Sequence, residues 1–403
     1  MPRPYTHDIE GKYVMKIVVL GGAGKMGCVS VQDLARDKRV KEVVLADRDV
    51  AQAKIVAETI NSPKVTVREV DLANRDPLLG VLKGADSCLN AAIYYFNLQA
   101  MEACLEMGVP YTDMGGLFHL TRKQWALHDR FAEAGVSAVL CMGTAPGVPN
   151  VHTRYIAERL DTMEYVHIYD GCKPPPPDSR RFGYAVATII DEITLPPMVF
   201  RDGDFVACEP LGEFEDYWFT PPLGLLPMHL SLHSEVATIP ITFQDKGVRE
   251  CFFKINYWGM SKEMVERVRV LVEFGFDREE EVAINDQMVR PRDVLVAMMS
   301  GYTSPITDYL APPKYQPPDW VEEIVTEVRG TKDGKTITYR LSTLDCKGAL
   351  LTGMSPSRIA IWLAEGRIPA GVYPPEAVVD PVPFFKELED GNIYTQITVT
   401  EPL

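Results

Sequence analysis

The chain reads as an α/β protein with a doubly wound parallel sheet in its first third and a mixed α+β region after it. Three observations predict this. Between Lys16 and about Asn150, short Val/Ile/Leu-rich runs alternate with segments of helical periodicity, and fully apolar strands between helices belong to a parallel sheet covered on both faces. A GxGxxG turn closes the first apolar run and opens the first helix. Beyond residue 150 the alternation gives way to β-rich runs and proline-bearing loops.

In order, KIVVLGG, EVVLAD, VTVREVD, DSCLNAA and SAVLCMG are the strand runs, and YTDMGG (Tyr111 to Gly116) is a further short strand ending in a glycine turn, which gives about six strands. GTAPGVPN (Gly143 to Asn150) leads into an apparent helix, VHTRYIAERL. From there to about Cys346, β-rich runs such as MEYVHIYDG, SEVATIPITF and ECFFKINYWG dominate, broken by KPPPPDSRR and LAPPKYQPPDW. Long proline loops in a compact domain are often functional edges or lids. GTKDGKTITYRL is a hairpin by its Asp333-Gly334 turn. PSRIAIWLAEGRI, from Ser355, has helical spacing, and a terminal helix of this kind can pack back on the first domain and make it discontinuous.

Composition narrows the function. With 46% hydrophobic and 24% charged residues the chain is an ordinary globular one, and no run approaches the roughly 18 apolar residues of a membrane span. The start, MPRPYTHDIEGKYV, lacks the features of a signal peptide. A cytoplasmic protein without a membrane partner is expected. A net charge of −15 argues against nucleic acid as a partner. The eight cysteines form no CxxC pair and no Cys/His cluster at metal spacing. They read as small apolar residues in a reducing compartment, and no metal is expected.

Gly22-Ala23-Gly24-Lys25-Met26-Gly27 stands directly after a strand and at the head of a helix. The first glycine permits a tight turn, the second lets the backbone approach a pyrophosphate, and the third allows close helix packing. Asp47 closes the second strand 20 residues after Gly27, where a carboxylate accepts hydrogen bonds from the adenosine ribose and repels a 2′-phosphate. This favours NAD over NADP. The neighbouring Arg48 keeps NADP open, because a guanidinium can pair with that phosphate or stack on adenine. Asp71, with Leu72 after it, ends the third strand and either meets the adenine or caps a turn. Asn90, Ala91 and Ala92 end the fourth, where small residues let the nicotinamide side pass close to the backbone.

At this point the chain resembles the saccharopine dehydrogenase-like family and, within it, the L-lysine 6-dehydrogenases. GGAGKMG, NAAIYYFNLQAMEACLEMGVPYTDMGG, GTAPGVPN, VRPRDVL (Val289 to Leu295) and the C-terminal blocks TG, IAIWLAEGRI and GVYPPE carry the resemblance from Met15 to near the end. It implies a Rossmann domain (1–150), an inserted α+β substrate and dimerisation domain (151–346) and C-terminal helices returning to the first domain (347–403). It also implies a homodimer. Tyr184 to Pro197 and Leu230 to Pro240 depart from the family pattern, and both fall where the substrate is chosen.

The reaction the resemblance implies is hydride transfer between nicotinamide C4 and a carbon bearing an amine. Hydride leaves readily only when the nitrogen lone pair is free, so a base near the operating pH is useful. Asp113 is the first candidate for accepting the amine proton or holding a substrate ammonium; its plain alternative is a carboxylate capping the next turn. His119 is a second candidate base, or a structural histidine. Tyr94 and Tyr95 line the nicotinamide pocket or are buried aromatics. His233, Ser234 and Lys173 are candidates for orienting substrate, and Arg180 and Arg181 for clamping a carboxylate. Gly143, Pro146, Gly147 and Asn150 form a turn into a helix N-terminus that suits a nicotinamide contact, an anionic group or a hinge.

The expected activity is therefore NAD(P)-dependent oxidation of a small-molecule amino acid, with lysine 6-dehydrogenase leading. Saccharopine and carboxynorspermidine dehydrogenases are the alternatives of the same class. A non-catalytic dinucleotide-binding redox sensor is the alternative of another class.

Overall fold

The computed structural model describes residues 15–173, 182–256, 262–301, 306–310, 321–345 and 349–401. In its first part, β1 (Met15–Leu20), α1 (Lys25–Arg36), β2 (Val40–Asp47), α2 (Val50–Ile60), β3 (Val65–Glu69), α3 (Arg75–Leu82), β4 (Ser87–Asn90), α4 (Asn97–Met107), β5 (Tyr111–Asp113), α5 (Leu117–Trp125), α6 (His128–Ala134) and β6 (Ser137–Val139) follow one another. The strands lie in the order β6-β5-β4-β1-β2-β3, all parallel. The run VVL of β1 has no exposed surface, which is why it reads as continuously apolar rather than alternating. β1 feeds β2 on one side, and β4 lies on the other, with Leu20 opposite Asn90. That reversal leaves a crevice at the carboxyl ends of the strands, where ligands bind in such sheets.

Helix α7 (Val148–Ala157) leads to the second sheet. Its elements are β7 (Thr162–Cys172), α8 (Val186–Thr194), β8 (Met198–Arg201), β9 (Asp204–Ala207), β10 (Glu215–Trp218), β11 (Leu225–Leu230), α9 (Glu235–Thr242), β12 (Glu250–Ile255), α10 (Lys262–Glu273), β13 (Val282–Ile284), β14 (Gln287–Val289), α11 (Pro291–Ser300), α12 (Thr307–Leu310), β15 (Glu322–Lys332) and β16 (Lys335–Asp345). The sheet runs β10-β11-β12-β7-β15-β16, with β12 parallel to β7 and the other pairs antiparallel. The β15–β16 hairpin turns at Asp333 and Gly334, both at positive φ (51° and 75°), as an Asp-Gly two-residue turn requires.

SEVATIPITF corrects the sequence expectation. Its composition predicts a β run, but Glu235–Thr242 is the helix α9. Glu235 through Pro240 are all buried, and an apolar stretch covered on every side carries no periodicity that separates strand from helix. The two proline-rich loops expected as edges fall largely outside the described residues, as do Arg180, Arg181 and Cys346.

The C-terminal part comprises α13 (Leu350–Ala364), β17 (Gly371–Tyr373), α14 (Pro375–Val378), α15 (Pro381–Leu388) and β18 (Thr395–Thr400). Here α13 returns to the first sheet, beginning five residues before the helix read from Ser355. Ser30 Oγ donates to the Gly353 carbonyl at 2.8 Å and Ser87 Oγ to that of Ala360 at 2.7 Å, while Arg358 is buried against Asp33 and Asp37 at 2.5 and 2.8 Å. β17 then pairs with β6 as a seventh parallel strand, one more than the sequence runs indicate, because three residues carry no pattern. β18 pairs with β16 in the second sheet. Among the described residues, no helix is long and apolar enough to cross a membrane.

His152 of α7 joins that helix to the second sheet. Its ring nitrogens pair with Thr326 Oγ1 (3.2 Å) and Thr343 Oγ1 (2.9 Å), and burial pushes its pKa down to about 3. The unfolded chain, with an ordinary histidine near 6.5, holds a proton that the folded chain does not. This contribution to stability is therefore fully present above about pH 6.5 and is lost as the pH falls toward 3. Thermal denaturation at about pH 7.5 and about pH 5 should show a smaller acid loss in His152→Gln than in the wild type; equal losses would clear His152 of the effect.

Candidate active site

The sharp corner of the glycine turn is Gly21, one residue before the motif. Its φ is +70°, and a Cβ there would stand 2.6 Å from the Ala92 nitrogen on the opposite lip. The tight turn assigned from sequence to Gly22 belongs to Gly21 instead. Gly27 does what the third glycine is for, since a Cβ would come within 2.2 Å of the Gly21 carbonyl oxygen. Gly24 caps α1 in an extended conformation with no side-chain cap, leaving the helix start to an anion. Ala23 and Gly22 are buried, Met26 is half-buried, and Lys25 reaches away from the turn, donating to the Phe182 carbonyl at 2.7 Å. Burial lowers the Lys25 pKa to about 8.

Asp47 stands at the end of β2. One of its oxygens accepts the Ala23 N–H and the other the Asp49 N–H, each at 3.0 Å, so it braces the turn on which a cofactor would rest. Arg48 beside it is exposed. Asp71 is exposed and accepts from the Ala73 N–H (3.0 Å) and Asn74 Nδ2 (3.2 Å), which is a turn cap, with Leu72 buried next to it.

On the other lip, Asn90 points inward. Its amide donates to Asn97 Oδ1 and to the Tyr111 hydroxyl, and its oxygen accepts the Ala92 N–H. Ala91 and Ala92 thus present backbone to the crevice. Asp113 has no exposed surface. One oxygen accepts the N–H groups of Gly115 (2.9 Å) and Cys141 (2.8 Å), the other Gln124 Nε2 (2.6 Å) and Asn97 Nδ2 (3.4 Å). Burial raises its pKa, against the pull of these donors. This is the turn-capping arrangement, joining the loops after β5 and β6 to α4 and α5, and both oxygens are occupied by donors. His119 lies on the exposed side of α5, edge-on to Phe118, and is not among the groups gathered at the crevice.

The 3-10 turn Tyr94–Phe96 carries the lip toward the second part of the molecule. Both tyrosine hydroxyls donate to Asp191 Oδ2, at 2.8 and 2.6 Å, and Arg292 Nη2 reaches Asp191 Oδ1 at 2.6 Å. Ser234 meets the loop after β5 from the far side, accepting from the Gly116 N–H (3.4 Å) and Thr121 Oγ1 (3.0 Å). Its neighbour His233 therefore stands at the carboxyl end of the first sheet. Lys173 follows β7, its N–H bonded to the Val321 carbonyl at 2.9 Å.

Around His233 lies a cluster that sequence reasoning did not single out. The imidazole stacks on Phe253 at 3.7 Å between centroids, and its Nδ1 is bonded to Glu235. Asp170, Glu192, Glu235 and Glu322 are all buried. Glu192 accepts from the Tyr184 hydroxyl, whereas Asp170 Oδ1, Glu235 Oε1 and Glu322 Oε2 have no donor. Burial pushes the pKa of both Asp170 and Glu192 up to about 7 and that of Glu322 well above the carboxylate range. Burial disfavours the His233 cation, but Glu235 beside it, with Glu192 and Asp170, more than offsets this and raises its pKa. The signal was present: an acid inside an apolar run, as in HIYDG, TIIDEIT, HSEVATI and WVEEIV, is out of place unless it is used.

Replacing Asp113 with Asn would turn one acceptor into a donor facing donors. Asp113→Asn should lose roughly 1–3 kcal/mol, seen as a lower melting temperature in the absence of any ligand; an unchanged melting temperature would show that these loops and helices do not depend on it.

Comparison with known proteins fits this geometry. Residues 17–139 match the family described as saccharopine dehydrogenase NADP binding domain. Carboxyaminopropylagmatine dehydrogenase of Synechocystis sp. is 28% identical, over 96% of this chain and 99% of that protein. Carboxynorspermidine synthase of Vibrio cholerae is 25% identical over 78% of each. Among solved structures, apo saccharopine dehydrogenase (L-Glu forming) of Saccharomyces cerevisiae superposes with a TM-score of 0.67 at 15% identity, covering 96% of this chain and all of that one. Homospermidine synthase of Legionella pneumophila, solved with NAD, gives 0.66 at 14% identity, covering 96% and 92%. The first domain thus resembles the saccharopine dehydrogenase NADP binding domain, set in a chain with the fold of saccharopine dehydrogenase.

Proposed function

We propose that this protein is an NAD(P)-dependent dehydrogenase of a carboxylated polyamine, a substrate with a secondary amine at the reacting carbon and at least one further cationic group. The buried carboxylates around His233 carry this reading. Removing an ionised carboxylate from water costs several kcal/mol unless a charge or donor compensates, and Asp170 and Glu235 each keep an oxygen with none. Among the described residues, no His, Cys, Asp or Glu group is set to hold a metal ion. An organic cation is a ligand that would compensate these buried oxygens.

Free lysine, the leading expectation from sequence, needs one carboxylate for its far ammonium. Asp170 and Glu192 beside the His233–Glu235 pair offer more than one place for positive charge, which suits a longer amine. The relatives point the same way, since two are named for carboxyaminopropylagmatine and carboxynorspermidine. Both lips of the crevice would hold NAD(P): Gly21 to Gly27 the pyrophosphate, Asp47 and Arg48 the adenosine ribose, Ala91 and Ala92 the nicotinamide side. The pair that carries protons is then His233 with Glu235, in place of Asp113 and His119. Glu235 fixes Nδ1 and leaves Nε2 to take the amine proton. NAD(P) held by the two lips would supply the hydride acceptor, and with the proton on Nε2 the nitrogen lone pair would be free to form the C=N bond. In the reverse direction the imine gains hydride and a proton.

With NAD and NADP against carboxynorspermidine, carboxyaminopropylagmatine, saccharopine and lysine, the carboxylated polyamines should give the highest kcat/KM; lysine as the best substrate would overturn the reading. Because His233 is raised, its base form accumulates only above the ordinary histidine range. The oxidative kcat/KM should therefore climb with pH and level off above about 6.5. Glu235→Gln removes the group that raises the imidazole and should move that inflection to lower pH while cutting kcat/KM at least about tenfold. An unmoved inflection would take His233 and Glu235 out of the proton transfer.

A further inference from the structure

Asp191 is the point at which the lip of the first sheet, helix α8 and helix α11 meet. Besides the two tyrosines it holds Arg292, whose Nη2 also reaches the Tyr95 hydroxyl at 2.9 Å and the Ala187 carbonyl at 3.0 Å, and whose Nε faces Glu279 at 3.2 Å. The Asp191 and Arg292 side chains are each only 8% exposed. An ion pair so buried adds little to stability against an apolar packing of the same volume, and its best-attested use is to fix one geometry among several.

The geometry to be fixed is legible in the next residue. Glu192 follows Asp191 on α8 and, one step of about 100° around the helix, accepts from the Tyr184 hydroxyl and lies within the electrostatic reach of His233 and Glu235. One rigid turn of helix therefore holds the lip with one carboxylate and lines the amine pocket with the next. A displacement of about 1 Å at a reacting centre can cost on the order of a hundredfold in rate. We propose that Asp191 and Arg292 form a positioning latch, which sets the Ala91–Ala92 lip against the amine pocket without either residue touching the reacting atoms. The inference rests on the reading of the site given above for its kinetics, but not for its structural consequence.

Asp191→Asn, Arg292→Lys and Tyr95→Phe test it, the last removing only a hydroxyl from a partly exposed ring. On the best amine, the first two should lower kcat at least tenfold and raise the primary isotope effect from substrate deuterated at its reacting carbon. The Kd of NADH and the KM of the amine should move less than threefold, and Tyr95→Phe should shift kcat in the same direction by less. A tenfold rise in KM with kcat unchanged would make these residues substrate ligands and overturn the latch, as would no change in any constant. Should the wild type oxidise no amine, the functional reading fails alone. The latch is then decided by amide exchange: faster exchange at residues 94–96 in Asp191→Asn, with residues 15–20 unchanged, supports it, and equal exchange at 94–96 overturns it.

Discussion

The most demanding constraint in this molecule is the placing of Asp170, Glu192 and Glu235 in the interior around a single imidazole, with Glu322 buried beside Asp170. Glu235 is paired with the imidazole, but no ion pair neutralises the other three as Arg358 neutralises Asp33 and Asp37 behind α1. Burial raises the pKa values of those three instead, so that Glu322 keeps a proton and Asp170 and Glu192 sit near the point of losing theirs. Such an arrangement is stable only because the sheet around it is deeply packed. β7 and β15 lie side by side over their whole length, with the acids at one end, Glu322 opposite Cys172. A fold that tolerates a deficit of donors at one place is a fold with a reason to hold a cation there.

The rest of the architecture can be read as what brings this pocket to the crevice of the first sheet. Asp113 binds the loops after β5 and β6 into one surface, and Ser234 touches that surface from the other side. The Arg292–Asp191 pair holds the tyrosine turn. Helix α13 then closes the back of the first sheet, where a Cβ on Gly353 would lie 2.6 Å from Val29, so the two helices meet at backbone distance. Three contacts made by residues far apart in sequence thus fix one relative placement of pocket and crevice.

The half of the site made by local sequence was legible, and the half made by tertiary contact was not. GxGxxG, Asp47 and the Asn90-Ala91-Ala92 ending are written within single strand-turn-helix units, and each lies at the crevice as the pattern predicts. Gly21 was missed because positive φ has no sequence signature when several glycines adjoin. Asp113 was read as a base because it ends a crevice strand; only the positions of Gln124, Asn97 and the Cys141 N–H reveal that its oxygens are taken. α9 was read as strand because burial on every face erases periodicity. The acid cluster draws on residues from 170 to 322, and no spacing rule spans that distance.

His233 and Asp113 separate two meanings of a buried titratable group. Both sit at the carboxyl ends of strands, and both have pKa values moved by burial and by neighbours. Asp113 is surrounded by donors from the backbone and from amides, and the titratable groups beside it, Tyr111 and Cys141, are held neutral by burial, so its ionisation has no ready partner to exchange with. His233 is surrounded by carboxylates that can change charge, and a proton moved onto the imidazole stays within a network of Glu235, Glu192 and Asp170. In the proposed reaction an amine entering with its own positive charge would complete that network, and the proton it gave up would have a place to go. That difference in neighbours, more than the depth of burial, is what assigns chemistry to one residue and bracing to the other.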